Sequence, residues 1–142
     1  MAYKTRFKPQ NPEKYIGDVS KINCRSLWER NVCKFFDENE SIKKWTFEEI
    51  MIPYYSPLDR KMHNYFPDFL VEFENEGNRK RWMIEVKPKK QTFLKENASK
   101  KEQMTWIINQ AKWKAAQDYC NKHGIEFKLI TEKELFKNGT NN

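Results

Sequence analysis

The stretch Tyr65-Phe66-Pro67-Asp68-Phe69-Leu70-Val71-Glu72-Phe73, followed after a polar turn by Arg81-Trp82-Met83-Ile84-Glu85-Val86-Lys87, decides how this chain is read. Both segments are rich in aromatic and branched apolar residues. Glu74-Asn75-Glu76-Gly77-Asn78 between them has the composition of a turn, so the pair predicts a β-hairpin. Side chains two apart in a strand share a face. Glu85 and Lys87 therefore point one way, and Trp82, Ile84 and Val86 point the other, into the core. An acid and a lysine side by side in an apolar strand are costly to bury unless they pair, bind a cation or do chemistry.

Working outward, Pro88 cannot donate to a ladder and ends the second of these strands. Upstream, the β-rich run over residues 45–55, closed by Pro53 and Pro57, reads as a single strand, with Ser56-Pro57-Leu58-Asp59 as a turn. Before it, Leu27, Trp28, Val32, Phe35 and Phe36 recur at helical spacing behind Ser26, a capping residue, with Asn39 near the end. Downstream of Pro88 lies a basic connector. A long helix is then expected over about residues 99–123, with Met104, Ile107, Ile108, Ala111, Ala115 and Tyr119 as its core side and Gly124 as its C-terminal cap. Residues 125–131 read as a strand and 131–136 as a short helix. The order is α-β-β-β-α-β, an α/β class. Residues 1–24, with Pro9, Pro12, Gly17 and several lysines, read as a basic extended arm. Residues 25–136 form the domain, and 137–142 a disordered tail.

With 142 residues the chain has room for one domain. No apolar run approaches the roughly 20 residues of a membrane helix, which argues against a membrane role. The N-terminus has no secretory apolar stretch. Cys24, Cys33 and Cys120 are too few and too scattered for a disulfide framework or a zinc site. A reducing, cytoplasmic setting is expected. The net charge of +7 suits an anionic partner, of which nucleic acid is the commonest.

Phosphodiester hydrolysis needs a hard cation at the phosphoryl group, an oriented water, and positive charge near the developing negative charge. Asp68 and Glu85 are oxygen ligands suited to Mg²⁺ or Mn²⁺, with the Val86 carbonyl as a third. Lys87 would orient or deprotonate the water, or stabilise the transition state. The competing reading is a solvated sheet face on which these charges merely pair.

Pro67-Asp68 and Glu85-Val86-Lys87, set in the order α-β-β-β-α-β, resemble the PD-(D/E)XK nuclease superfamily. Four segments resemble the head completion nucleases of large tailed bacteriophages: residues 25–30, 48–54, 65–69 and 84–89. MAYK at the start and Lys14-Tyr15-Ile16-Gly17-Asp18 fit the same family. The chain is also similar to transposon end-cutting endonuclease subunits. The resemblance implies a restriction-endonuclease-like core, a mixed central sheet flanked by helices. It implies a Mg²⁺- or Mn²⁺-dependent DNA nuclease of head maturation, with DNA and phage head or portal proteins as partners, in the infected bacterial host or the virion. Many superfamily members supply a further acid from the first helix, which points to Glu29; Glu49 competes for that role. Two other readings stand beside this one: a non-catalytic head completion protein binding DNA ends or capsid, and a junction-resolving or repair nuclease. Monomer and homodimer are both open.

For DNA contact, Arg25 and Ser26 stand at the mouth of the first helix, where a guanidinium and a helix N-terminus both favour phosphate. Lys89 and Lys90, in a basic run with Lys87, Lys95, Lys100 and Lys101, would track the backbone. The superfamily resemblance further implies a polar residue of the long helix facing the metal site, for which Gln110, Lys112 and Trp113 are candidates, with Asn109 or Lys112 as substitutes. His63 is read as incidental rather than as a general base. Trp28, Phe35, Phe36, Trp45, Trp106 and Trp113 fit core spacing and suggest no stacking platform.

Overall fold

Phe69, Leu70 and Val71 alternate across a sheet, and this alternation divides the core in two: Phe69 and Val71 join one apolar cluster and Leu70 packs against the other. The computed structural model describes residues 4–88 and 91–131. Along the chain the elements are β1 (Thr5–Arg6), β2 (Asn23–Cys24), α1 (Leu27–Glu38), β3 (Ile42–Phe47), β4 (Ile52–Ser56), β5 (Lys61–Tyr65), β6 (Phe69–Asn75), β7 (Asn78–Val86), α2 (Lys100–His123) and β8 (Glu126–Ile130). The central sheet has the order β3-β6-β7-β8. Its first two pairings are antiparallel and the last is parallel, with α2 as the crossover. It is a mixed sheet with helices on both faces, and α1-β3-β6-β7-α2-β8 is the expected order.

On one face, Val32, Cys33 and Phe36 of α1 pack with Trp45, Phe69 and Ile84. On the other, Ala116 and Cys120 of α2 meet Met83. The N-terminal segment wraps the first layer: Phe7, Tyr15, Ile22 and Cys24 are buried in it. Lys14 Nζ donates to the carbonyls of Phe36, Asp37 and Asn39 at 2.7, 2.8 and 2.9 Å, placing a cation on the negative end of α1. Helix α2 begins in a capping box of Ser99 and Glu102 and ends at Gly124 with φ 67°.

Three expectations are corrected. The run over 45–55 is not one strand. It breaks at Glu48, whose φ is 54°, and β3 and β4 belong to different sheets. Tyr65 likewise does not start the strand that carries Phe69; it ends β5, which pairs with β4 in a two-stranded hairpin inserted between β3 and β6. Finally, Met104 and Ile107 are exposed rather than core. The first half of α2 borders open clefts, and its buried residues begin at Asn109. The expected helix over 131–136 and the tail at 137–142 fall almost wholly outside the described residues.

Candidate active site

The N–H of Glu48 donates to the Asp68 carbonyl at 2.9 Å, closing the β3–β6 ladder just beyond Phe47 and Phe69. The left-handed turn at Glu48 carries its side chain out of the strand's alternation and towards Asp68. Asp68 is tied in turn to the next strand, its Oδ2 accepting from the Val86 N–H at 2.8 Å. Helix α1 brings Glu29, whose N–H donates to the capping Ser26 hydroxyl at 3.0 Å. Glu29, Glu48 and Asp68 each offer a carboxylate oxygen, and all three oxygens lie within 4.8 Å of one another.

Glu85 and Lys87 share the face of β7 that looks towards α2. Glu85 is 4% exposed; its Oε2 lies 3.2 Å from Lys87 Nζ. Its other oxygen, Oε1, is buried and has no hydrogen-bond partner among the described residues. Lys112 of α2 stands over the rings of Tyr54 and Tyr65, at 6.0 and 5.7 Å. An open cleft of about 530 Å³ joins these groups, lined by Arg25, Glu48, Asn64, Tyr65, Phe66, Asp68, Glu85, Lys87 and Lys112.

Burial pushes the Asp68 carboxyl up to about 7, the charge of Glu85 adds to the rise, and the Val86 hydrogen bond and Lys87 oppose it. Burial, then the charge of Glu85, raises the Tyr65 phenol beyond ordinary titration. The Lys112 ammonium is lowered by burial and then by Lys87. The carboxylates of Glu29, Glu48 and Asp68 are crowded together and the buried Glu85, with one oxygen unpartnered, raises the Asp68 carboxyl further, a set of acids whose crowding a cation would relieve. An all-carboxylate donor set fits a hard ion such as Mg²⁺ or Mn²⁺.

The remaining candidates are distributed as follows. The Arg25 N–H donates to Glu29 Oε1 at 2.6 Å, and its guanidinium touches both Glu29 and Glu48. Ser26 is occupied as the helix cap. The Val86 N–H is committed to Asp68. Glu49 points away from the acids: Tyr15 donates to it at 3.2 Å, and its carboxyl carbon lies 2.5 Å from where a Cβ on Gly17 would sit. Only glycine, at φ 131°, accepts that approach. His63 is paired with Asp59 at 2.6 Å on the hairpin and does not line the cleft. Gln110 is exposed, whereas Asn109 is buried beside Lys112 in an adjoining cleft. Lys89 and Lys90 lie outside the described residues. Glu48 is the acid that sequence reasoning missed. In a continuous strand Glu48 and Glu49 simply take opposite faces, and nothing in the residue types marks the break.

The sequence profile of the TnsA-like endonuclease N-terminal domain matches residues 39–132, a span that holds Glu48, Asp68, Glu85 and Lys87 but not Glu29. The head completion nuclease of Enterobacteria phage T4 is 37% identical over 145 residues, covering 95% of each chain. No solved structure matches at a significant level. A profile covering most of the chain, and a relative alike over nearly all of it, agree with the mixed sheet and its helices: the protein belongs to the TnsA-like endonuclease N-terminal family.

Proposed function

We propose that this protein is a divalent-cation-dependent deoxyribonuclease acting in phage head completion, with Mg²⁺ or Mn²⁺ as its ion. The observation that carries this reading is the buried, unpartnered Oε1 of Glu85, a residue that lines the same cleft as Asp68 and Glu48. A buried carboxylate oxygen without a donor is expensive, and a cation removes that cost. Asp68 and Glu85 would hold the ion, with the carboxylates of Glu29 and Glu48, within 4.8 Å of that of Asp68, as further acids of the site. A bound divalent ion polarises a phosphoryl oxygen and acidifies water. Lys87, fixed against Glu85, places its ammonium beside the reacting phosphoryl group, where it orients the attacking water and offsets charge developing in the transition state. Lys112 flanks the cleft and offers its charge to neighbouring phosphates, and Arg25 stands at the same cleft, held by Glu29 and Glu48. With no recognisable base-reading element, cutting is expected to depend little on sequence. DNA is the substrate, and phage head or portal proteins are the proposed assembly partners.

The test is incubation of the purified protein with supercoiled and linear DNA in Mg²⁺, Mn²⁺ or EDTA, beside Asp68→Ala. Cutting that requires the ion and disappears in the folded variant supports the reading. Equal DNA binding by both proteins without cutting in either metal overturns it, in favour of a non-catalytic DNA-end-binding role.

A further inference from the structure

The inserted hairpin has two different faces. Its register pairs Ile52 with Tyr65, Pro53 with Asn64, Tyr54 with His63 and Tyr55 with Met62. Ile52, Tyr54 and Tyr65 are buried with residues of α2. By alternation, Tyr55 and Met62 lie on the opposite face, 54 and 62% exposed, and Met51 and Phe66, 53 and 48% exposed, stand just beyond the strand ends. This apolar strip starts inside the cleft, where Phe66 and Asn64 line the wall two and four residues before Asp68, and runs outward to the hairpin tip. Contiguous exposed apolar surface rimmed by polar groups marks a binding face.

Charge identifies the occupant. Arg25, Lys87 and Lys112 line the cleft at which the strip begins, Arg25 paired with Glu29 and Glu48, Lys87 with Glu85, and Lys112 set over the inner-face rings. At the outer end Asp59 is taken up by His63, and Arg60, in the turn at the hairpin tip, has no ion-pair partner among the described residues; Lys61, opposite Ser56, belongs to the inner face. Cations at both ends with aromatic and thioether surface between them match a ligand that carries phosphates and exposes flat apolar faces. An unpaired DNA strand has both properties, whereas in a duplex the base faces are stacked away. The anchored inner face, with Lys112 over Tyr54 and Tyr65, keeps the platform in place.

Resting on the nuclease reading above, we propose that the outer face of the β4–β5 hairpin binds an unpaired DNA strand. Phe66 stacks on a base beside the scissile phosphate, so the substrate class is DNA with a frayed or single-stranded region at the cut. The cleft acids act on the backbone, and the hairpin selects its state of pairing.

The test uses the full chain with Ca²⁺ in place of Mg²⁺, and oligonucleotides carrying 2-aminopurine in the single strand next to a duplex junction. Wild type should quench the probe and bind the junction at least about 10-fold more tightly than a blunt duplex of equal length. Phe66→Ala should lose most of the quench and about 5- to 150-fold in affinity for the single strand, the range expected for one stacked base. Phe66→Trp should restore both. Tyr55→Ser, on a side chain exposed in the free protein, repeats the test should Phe66→Ala misfold. Equal affinity for blunt and junction DNA, or a quench unchanged in folded Phe66→Ala and Tyr55→Ser, overturns the proposal. So does a hairpin-dependent dimer, abolished by Met62→Lys, with DNA binding unaltered. Junction and blunt DNA cut equally fast would leave the nuclease reading standing and sink this one. Stacking without cutting of any DNA in Mg²⁺ or Mn²⁺ would do the reverse.

Discussion

Val86 donates its N–H to Asp68 at 2.8 Å, so the strand that carries Glu85 and Lys87 is fastened to the residue that begins the site. The two halves of the motif are set relative to each other by the β6–β7 ladder, which pairs Phe69 with Ile84, and at the site itself by one hydrogen bond, between residues eighteen apart in sequence, made by an acid that also serves the cleft. Structure and chemistry are therefore separable at this residue.

Asp68→Asn keeps an oxygen for the Val86 N–H and removes the charge. We expect DNA cutting to fall by at least about 10²-fold, on the scale of losing one aligned electrostatic group, while the melting temperature in EDTA stays level or rises. Asp68→Ala also strands the Val86 N–H, at a cost of about 1–3 kcal/mol. Nicking rates and thermal melts on the two variants check both halves; an unstable Asn variant would contradict the assignment.

Lys87→Met leaves Glu85 as a buried charge without its partner. Breaking a fully buried pair costs about 3–5 kcal/mol; Lys87 keeps some exposure, so a loss at or below the lower end is expected in EDTA. Glu85→Gln combined with Lys87→Met should recover most of it. Urea unfolding of the single and double variants gives the coupling, and simple additivity would rule the pair out as a stabilising unit.

Glu48 and Glu49 are neighbours with different fates, which calorimetric titration with Mn²⁺ resolves. Glu48→Gln should weaken binding about 10-fold or more, the lower bound for disturbing a metal's surroundings. Glu49→Gln, whose carboxylate faces Tyr15 and Gly17, should leave it within about twofold. Equal losses in both would remove Glu48 from the acids of the site.

In EDTA, stability should fall as pH rises. Asp68 titrates at about 7 in the folded protein against 3.8 ordinarily, so between these values the folded state holds the proton more firmly than the unfolded chain. Its stabilising contribution is complete below about 4 and is lost as pH climbs through about 7. Melting curves from pH 4 to 8 should show this slope, Asp68→Asn should flatten it, and added Mn²⁺ should oppose it. A wild-type profile without that slope would count against the buried, crowded carboxyl.

Much of this fold is legible in residue order because local signals and tertiary packing agree. Ser26 caps the helix it announces, the second helix starts at about residue 99 as its spacing implies and ends at Gly124, and the alternation around Glu85 sends Trp82, Ile84 and Val86 to one core. The hairpin is not legible as a separate sheet. Ile50 to Tyr55 has the same β-rich composition as Trp45 to Phe47, and only the φ of Glu48 divides them. The acid at 48 was hidden for the same reason. Met104 and Ile107 misled because spacing reports which helix face is apolar, not how far along the helix its cover extends.

The bond from the Glu48 N–H to the Asp68 carbonyl turns everything between them into a closed loop with both ends on the sheet. Nineteen residues, 49–67, hang from that closure, and their number does not enter the spacing of the two acids. A hairpin lengthened or shortened at its tip, away from the Tyr54 and Tyr65 that pack on the second helix, would change what the protein grips while leaving the spacing of the acids as it stands. In this chain, selectivity and catalysis can drift apart in evolution and be engineered independently.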